Sequence, residues 1–248
     1  MHSLAPVYLA LLGLFVLVGG GLVSGMFVQR QDHRINMRGI WVLLLSGCWN
    51  ILVTIFYFLI LVFDTDFPCS YSIMGSYLMV ALLHFPYIIR GVRLAIYSDN
   101  ALRIKFGRML KLNNCLGVIL AYTLLSTLYA FLGVHLPMIH HTLGNSCYFH
   151  VYFDGIYMMI TLMGFVAICM WCLTKIYQFN DIFRLSTEIK SVYIIWILLG
   201  LPFLVFQVFL QDRWAAAHFM VAMNALLLKV SFFDPLRRGR RLSQAQLV

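Results

Sequence analysis

Acidic residues are scarce in this chain, nine against 18 Lys and Arg, and charged residues of both signs make up only 11% of its 248 residues. Soluble domains carry about 25%, so a water-facing surface of the usual kind is excluded. Catalytic signatures are missing as well. There is no His-Glu-x-x-His, no Gly-x-Ser-x-Gly and no phosphate-cradling glycine loop, which removes the common metalloprotease, serine hydrolase and nucleotide-binding chemistries. His140 and His141 are adjacent, and on a helix they would point about 100° apart, a poor start for a shared metal. The two halves do not repeat as an inverted pair of broken helices, the usual pointer to a secondary transporter. No enzymatic activity and no cofactor is expected. An intramembrane metallohydrolase assembled from His84, His150, Asp154 and His218 is the catalytic alternative left open.

Apolar residues are what the chain has in abundance: 62% of it is hydrophobic and its mean hydropathy is +0.88. At about 20 apolar residues per crossing, seven runs are long enough, over residues 5–28, 39–63, 70–96, 115–133, 148–173, 192–211 and 214–233. The expected fold is an all-α integral membrane protein, a GPCR-like seven-transmembrane helix bundle over residues 1–236 followed by a basic tail over 237–248. The first run lacks a basic segment before it and is too long for the apolar part of a signal peptide, so it is expected to stay as a helix.

Basic residues sort between the connections. Arg30, Arg34 and Arg38 follow the first run, Arg90 to Lys111 the third, Lys175, Arg184 and Lys190 the fifth, and Arg237 to Arg241 the seventh. The alternate connections are nearly empty of Lys and Arg, with Arg213 the exception. Because positive residues of short loops stay in the cytoplasm, the N-terminus is expected outside and the C-terminus inside. A net charge of +9 on so apolar a chain points to an anionic membrane face rather than nucleic acid. The RRGRR tail suits lipid contact or topology fixation equally. The plasma membrane is the expected location, with an endomembrane as the alternative.

That orientation puts Cys69 and Cys147 together on the oxidising side, where a disulfide between them is expected. Cys48, Cys115, Cys169 and Cys172 fall within or at the inner ends of apolar runs and serve as small hydrophobes.

Polar residues within the spans usually face the bundle interior. Asn50, His84, Asp154, Gln207 and Asn224 are the candidates for an outward-opening pocket holding a small polar or amphipathic ligand; plain interhelical hydrogen bonding is the alternative for each. Lys229 in the seventh run suggests a retinal Schiff base, but it lies within snorkelling reach of the basic end, far from Asp154, the one acid inside a span. Gly21 and Gly25 form a GxxxG beside Gly19 and Gly20, a close-packing signal within the bundle or across a homodimer. Pro86 and Pro202 interrupt the third and sixth runs and mark kinks or hinges.

Arg90 and Arg93 are three positions apart on one helix face. They fall about 20 residues beyond the outer start of the third run, near the inner headgroups at about 1.5 Å per residue. They are expected as snorkelling anchors or, with Arg103, Lys105, Arg184 and Lys190, as a basic surface for a cytoplasmic partner or anionic lipid.

Seven helices with a cysteine opening the third and another before the fifth suggest a G-protein-coupled receptor plan. The third run ends in IIRGVRLAIYS and the seventh reads NALLLKVSFFDPL, so the rhodopsin-like signatures are absent. Cys69, the Arg90 to Arg93 segment, Cys147, the charged and aromatic stretch KIYQFNDIFRLSTEIKSV, and the pair Pro235 and Leu236 together resemble the seven-helix half of the plant and protist regulator-of-G-protein-signalling membrane proteins. The resemblance runs over the third to seventh runs and rests on no single specific motif. It implies a receptor-like bundle coupled to a heterotrimeric G protein. Members of that family continue into a domain that accelerates GTP hydrolysis; here the sequence stops soon after the seventh run, so that activity is not carried over, and either a relative without the domain or a fragment is expected. A receptor for an unknown small molecule is the leading expectation, and a small-solute transporter or channel is the alternative.

Overall fold

The structure is a computed structural model that describes residues 4–29, 40–63, 69–135, 142–143, 146–147, 151–176, 185–206 and 213–233. Apart from a two-residue antiparallel pairing of Thr142–Leu143 with Ser146–Cys147, the described chain is helical. Helix α1 spans Ala5–Val28, α2 Ile40–Phe63 and α3 Cys69–Ser98. After a short helix Asn100–Phe106 come α4, Leu112–His135, and α5, Val151–Ile176. Helix α6 is built of an α-helical part Leu185–Ile195, a π-helical stretch Trp196–Gly200 and an α-helical turn Leu201–Leu204. Helix α7, Arg213–Leu228, continues into π-helical Lys229–Phe233.

Local chemistry explains these boundaries. Pro6 sits in the first turn of α1, where its missing N–H has no intrahelical role and its fixed φ suits the helix. Asp99 stops α3 and starts the next helix: its Oδ1 accepts from the backbone N–H groups of Ala101 and Leu102 at 3.0 and 3.3 Å, satisfying donors the helix leaves unpaired. In α6, Pro202 has no N–H to give the carbonyl of Leu198 and its ring crowds that carbonyl. The backbone widens into π geometry over the five residues up to Gly200.

Five of these helical segments are, among the described residues, long and apolar enough to cross a membrane: Ala5–Val28, Ile40–Phe63, Asn113–Leu132, Ser186–Phe203 and Ala215–Phe233. The protein is thus a multi-pass α-helical membrane protein. Side chains over parts of α3 and α5 lie outside the described residues; within those described, α5 contributes a shorter apolar segment, Met163–Ile176.

Helix α3 is the hub, packing against α2, α4, α5 and α6, while α7 packs against α2 and α6. The core between them is aromatic and aliphatic, with Tyr57, Leu83, Tyr87, Tyr193, Trp196 and Met223 buried together. Helix α1 packs chiefly against α2 and also touches α7. It buries Ala5, Tyr8, Gly19 and Met26, and a Cβ on Gly19 would come within 3.1 Å of Ile51 and 3.3 Å of Leu228, whereas Gly21 faces open space. Of the glycines around the GxxxG, Gly19 is the one at which α1 comes close to its neighbours within the bundle.

Candidate functional site

Two features of α3 and α6 make up the site. The first is an ion pair. Glu188 lies in the first turn of α6, where the helix dipole favours a carboxylate, and it meets Arg90 near the end of α3. Arg90 Nη2 donates to Glu188 Oε1 at 2.6 Å, and the two side chains are 4% and 5% exposed. The guanidinium also stands 5.9 Å from the centroid of the Tyr87 ring, within cation–π range. Arg90 is therefore no snorkelling anchor and no surface contact: the first turn of α6 supplies a carboxylate that neutralises it inside the protein.

Around this pair the interior holds further buried polar side chains, Tyr87, Tyr193, Ser231, Asn50 and Asn224, and Arg90 Nε and Nη1 have no hydrogen-bond partner among the described residues. Each such atom costs about 1–3 kcal/mol to keep dry and unpaired. Close approach is built in as well, since a Cβ on Gly91 would collide with the Tyr193 hydroxyl, so only glycine lets α6 sit this near α3.

The second feature is a cavity of about 300 Å³ between α3, α4, α5, α6 and α7. Its walls are rings. Trp196 packs on Phe165 with centroids 4.3 Å apart and meets His84 edge-on at 4.4 Å; Phe85 stacks on Tyr122 at 4.4 Å. Trp196 belongs to both features. It lines the cavity, opens the π-helical stretch and lies two turns along α6 from Glu188, on the same face.

Of the five residues expected to hold a ligand, the cavity takes only His84 among its lining. Asn50 and Asn224 are fully buried away from it, and Gln207 and the side chains of Asp154 and His150 lie outside the described residues. Tyr122, Phe165, Trp196 and Met223, which do line it, gave no signal in the sequence because apolar residues do not stand out within apolar helices. His218 is engaged elsewhere, its Nε2 3.1 Å from the Tyr8 hydroxyl. Among the described residues no three His, Cys, Asp or Glu side chains gather to hold a metal ion.

Of the expected partner surface, Arg103 and Lys105 are exposed on the short helix after α3, and Arg93 and Lys190 are half-buried. Arg184 and the side chains of Cys69 and Cys147 lie outside the described residues; the strand Ser146–Cys147 packs against α3. Cys48, Cys115, Cys169 and Cys172 are free thiols. No protein-family model matches the chain, and no match to a curated protein was found.

Proposed function

We propose that the protein is a receptor-like bundle of seven membrane-crossing helices, with its N-terminus outside, in which a small molecule between α3 and α6 controls a contact at the basic, cytoplasmic end. The observation that carries this reading is the buried Arg90–Glu188 pair. It joins α3 to α6 by a buried charged contact, and the π-helical stretch at Trp196–Gly200 provides a weak point on the same helix directly against the cavity. A ligand that binds better when α6 is displaced would draw the population toward the state in which Arg90 and Glu188 are apart. Arg103, Lys105 and Lys190 then form a basic face for a G-protein-type partner.

Glu188→Gln removes the charge and retains the side chain's shape. In phospholipid nanodiscs the variant is expected to lengthen the distance between nitroxide-bearing residues at Tyr97 and Thr187, both exposed, and to raise nucleotide exchange on added heterotrimeric G protein. Charge reversal at Arg103 and Lys105 is expected to leave membrane insertion intact and abolish that exchange. Solute flux through the protein in liposomes with no exchange would replace this reading with the transporter.

A further inference from the structure

The cavity has a mouth on the outside of the bundle. Its floor is buried, with Trp196, Phe203 and Met223 only 3%, 2% and 1% exposed, whereas Ile160 and Ile168 of α5 line the same cavity and are 69% and 38% exposed. Ile160, Gly164 and Ile168 recur every four residues and so form one stripe along α5. A stripe that lines a cavity and also faces outward is the edge of an opening.

Depth decides what lies beyond it. Tyr122, Trp196 and Met223 stand near the middle of the apolar segments Asn113–Leu132, Ser186–Phe203 and Ala215–Phe233. At about 1.5 Å per residue, the middle of such a segment lies half-way through a hydrocarbon layer about 30 Å thick. The mouth opens on acyl chains and has an aliphatic rim to match.

The walls describe the occupant. Stacked rings favour a flat molecule. The indole N–H of Trp196 is buried without a hydrogen-bond partner, and an acceptor atom would recover its lost solvation. The volume of about 300 Å³ lies at the small end of ligand pockets, which span about 300–1,000 Å³; a two-chain phospholipid is too large. We infer that the cavity takes a small, flat, lipid-soluble molecule with one acceptor oxygen, such as a ring ketone, which enters sideways from the bilayer past Ile160, Gly164 and Ile168 and accepts a hydrogen bond from Trp196 Nε1. This rests on the receptor reading above and names its ligand class. Sugars and nucleotides are refused, since their many hydroxyls and charges would be stripped of water against aromatic and aliphatic walls.

Gly164 and Gly200 supply the test. Both line the cavity, and a Cβ at either meets no atom within 4 Å, so side chains there grow into open space without disturbing the packing. Benzophenone is a suitable probe, having two rings, one carbonyl and the ability to insert into neighbouring C–H bonds under near-ultraviolet light. With the whole chain in phosphatidylcholine nanodiscs, its adducts are expected to saturate and to concentrate on Ile160, Ile168 and Met223. In Gly164→Leu/Gly200→Ala labelling is expected to fall to the level of outward-facing Leu14 and Leu17 on α1. Trp196→Phe keeps the ring and loses the donor, and should weaken half-saturation by about 2- to 10-fold, the worth of one neutral hydrogen bond. The carboxylate-bearing 4-benzoylbenzoate should not compete.

Adducts spread evenly over Leu14, Leu17 and α5, or unchanged in the double variant, would overturn the inference, as would full competition by 4-benzoylbenzoate. Should the double variant melt early, Ile160→Trp at the exposed rim plugs the same mouth without touching the core. Saturable labelling with no change in the α3–α6 distance would keep the cavity and sink the receptor; a distance change in Glu188→Gln without saturable labelling would do the reverse.

Discussion

A guanidinium and a carboxylate taken out of water together are tolerable; either one alone is not. Breaking a buried pair by deleting one partner typically costs about 3–5 kcal/mol, whereas replacing both with apolar side chains of similar volume is often neutral or stabilising. Arg90→Met, which takes the guanidinium away from the buried Glu188 carboxylate, is expected to lower the melting temperature in detergent sharply. Arg90→Met/Glu188→Leu should recover most of the loss. If the double variant is as stable as the native chain yet fails to drive nucleotide exchange, the pair is there for signalling rather than cohesion. If the two single losses simply add, the residues do not act as a pair and the proposed contact between α3 and α6 falls.

On the scale of the helix, α6 departs from regularity over Trp196–Gly200, as α7 does over Lys229–Phe233, and in α6 the cause is one residue. Pro202→Leu restores an N–H for the Leu198 carbonyl, so the π-helical turns at Trp196–Gly200 are expected to close into ordinary α-helix. With the weak point gone, the Tyr97–Thr187 distance should respond less to Glu188→Gln, which paired-label distance measurements would read. The connection after α3 carries a pH dependence of its own. Asp99 Oδ2 accepts from Lys175 Nζ at 3.0 Å, and that contact, followed by the N–H groups of Leu102 and Ala101, holds the Asp99 carboxyl below the usual carboxylate range. A depressed pKa stabilises the folded state above the unfolded value, and the contribution fades as pH falls through the folded one. Protection of the amides of Asn100–Phe106 against exchange is therefore expected to be full at neutral pH and to decline only below the normal range for Asp. In Asp99→Asn the cap survives, because Asn also caps well, but the acid-dependent step should vanish.

Taken whole, the molecule shows lipid more than water in its surface. Leu17 on α1, Leu125 on α4 and Ile160 on α5 are 76%, 65% and 69% exposed; in water such surface is penalised by about 25 cal/mol for each Å², and in acyl chains it is not. The proposed arrangement of seven crossings puts residues 1–4 and the 136–150 connection on one side and the 99–111 connection on the other. Impermeant amine-reactive labelling of intact cells should reach the N-terminal amine and miss Lys105 and Lys111. Labelling of Lys105 from outside would invert the orientation and, with it, the assignment of the basic end as the signalling face.

The sequence by itself determined where the helices run, because a long apolar segment has one stable form in a bilayer: the described parts of the apolar runs are helical, and five of these segments are long and apolar enough to cross a membrane. It also marked His84, Pro202 and the Arg90 to Arg93 stretch as unusual. Only the tertiary structure decided what these residues do. Arg90 looked like a membrane-edge anchor since its partner Glu188 is 98 positions away, and nothing along a chain reveals which helices will touch. The cavity was hidden for a related reason: its walls are Phe, Tyr, Trp and Met from five different helices, residues that look like any other apolar filling until packing leaves a space between them.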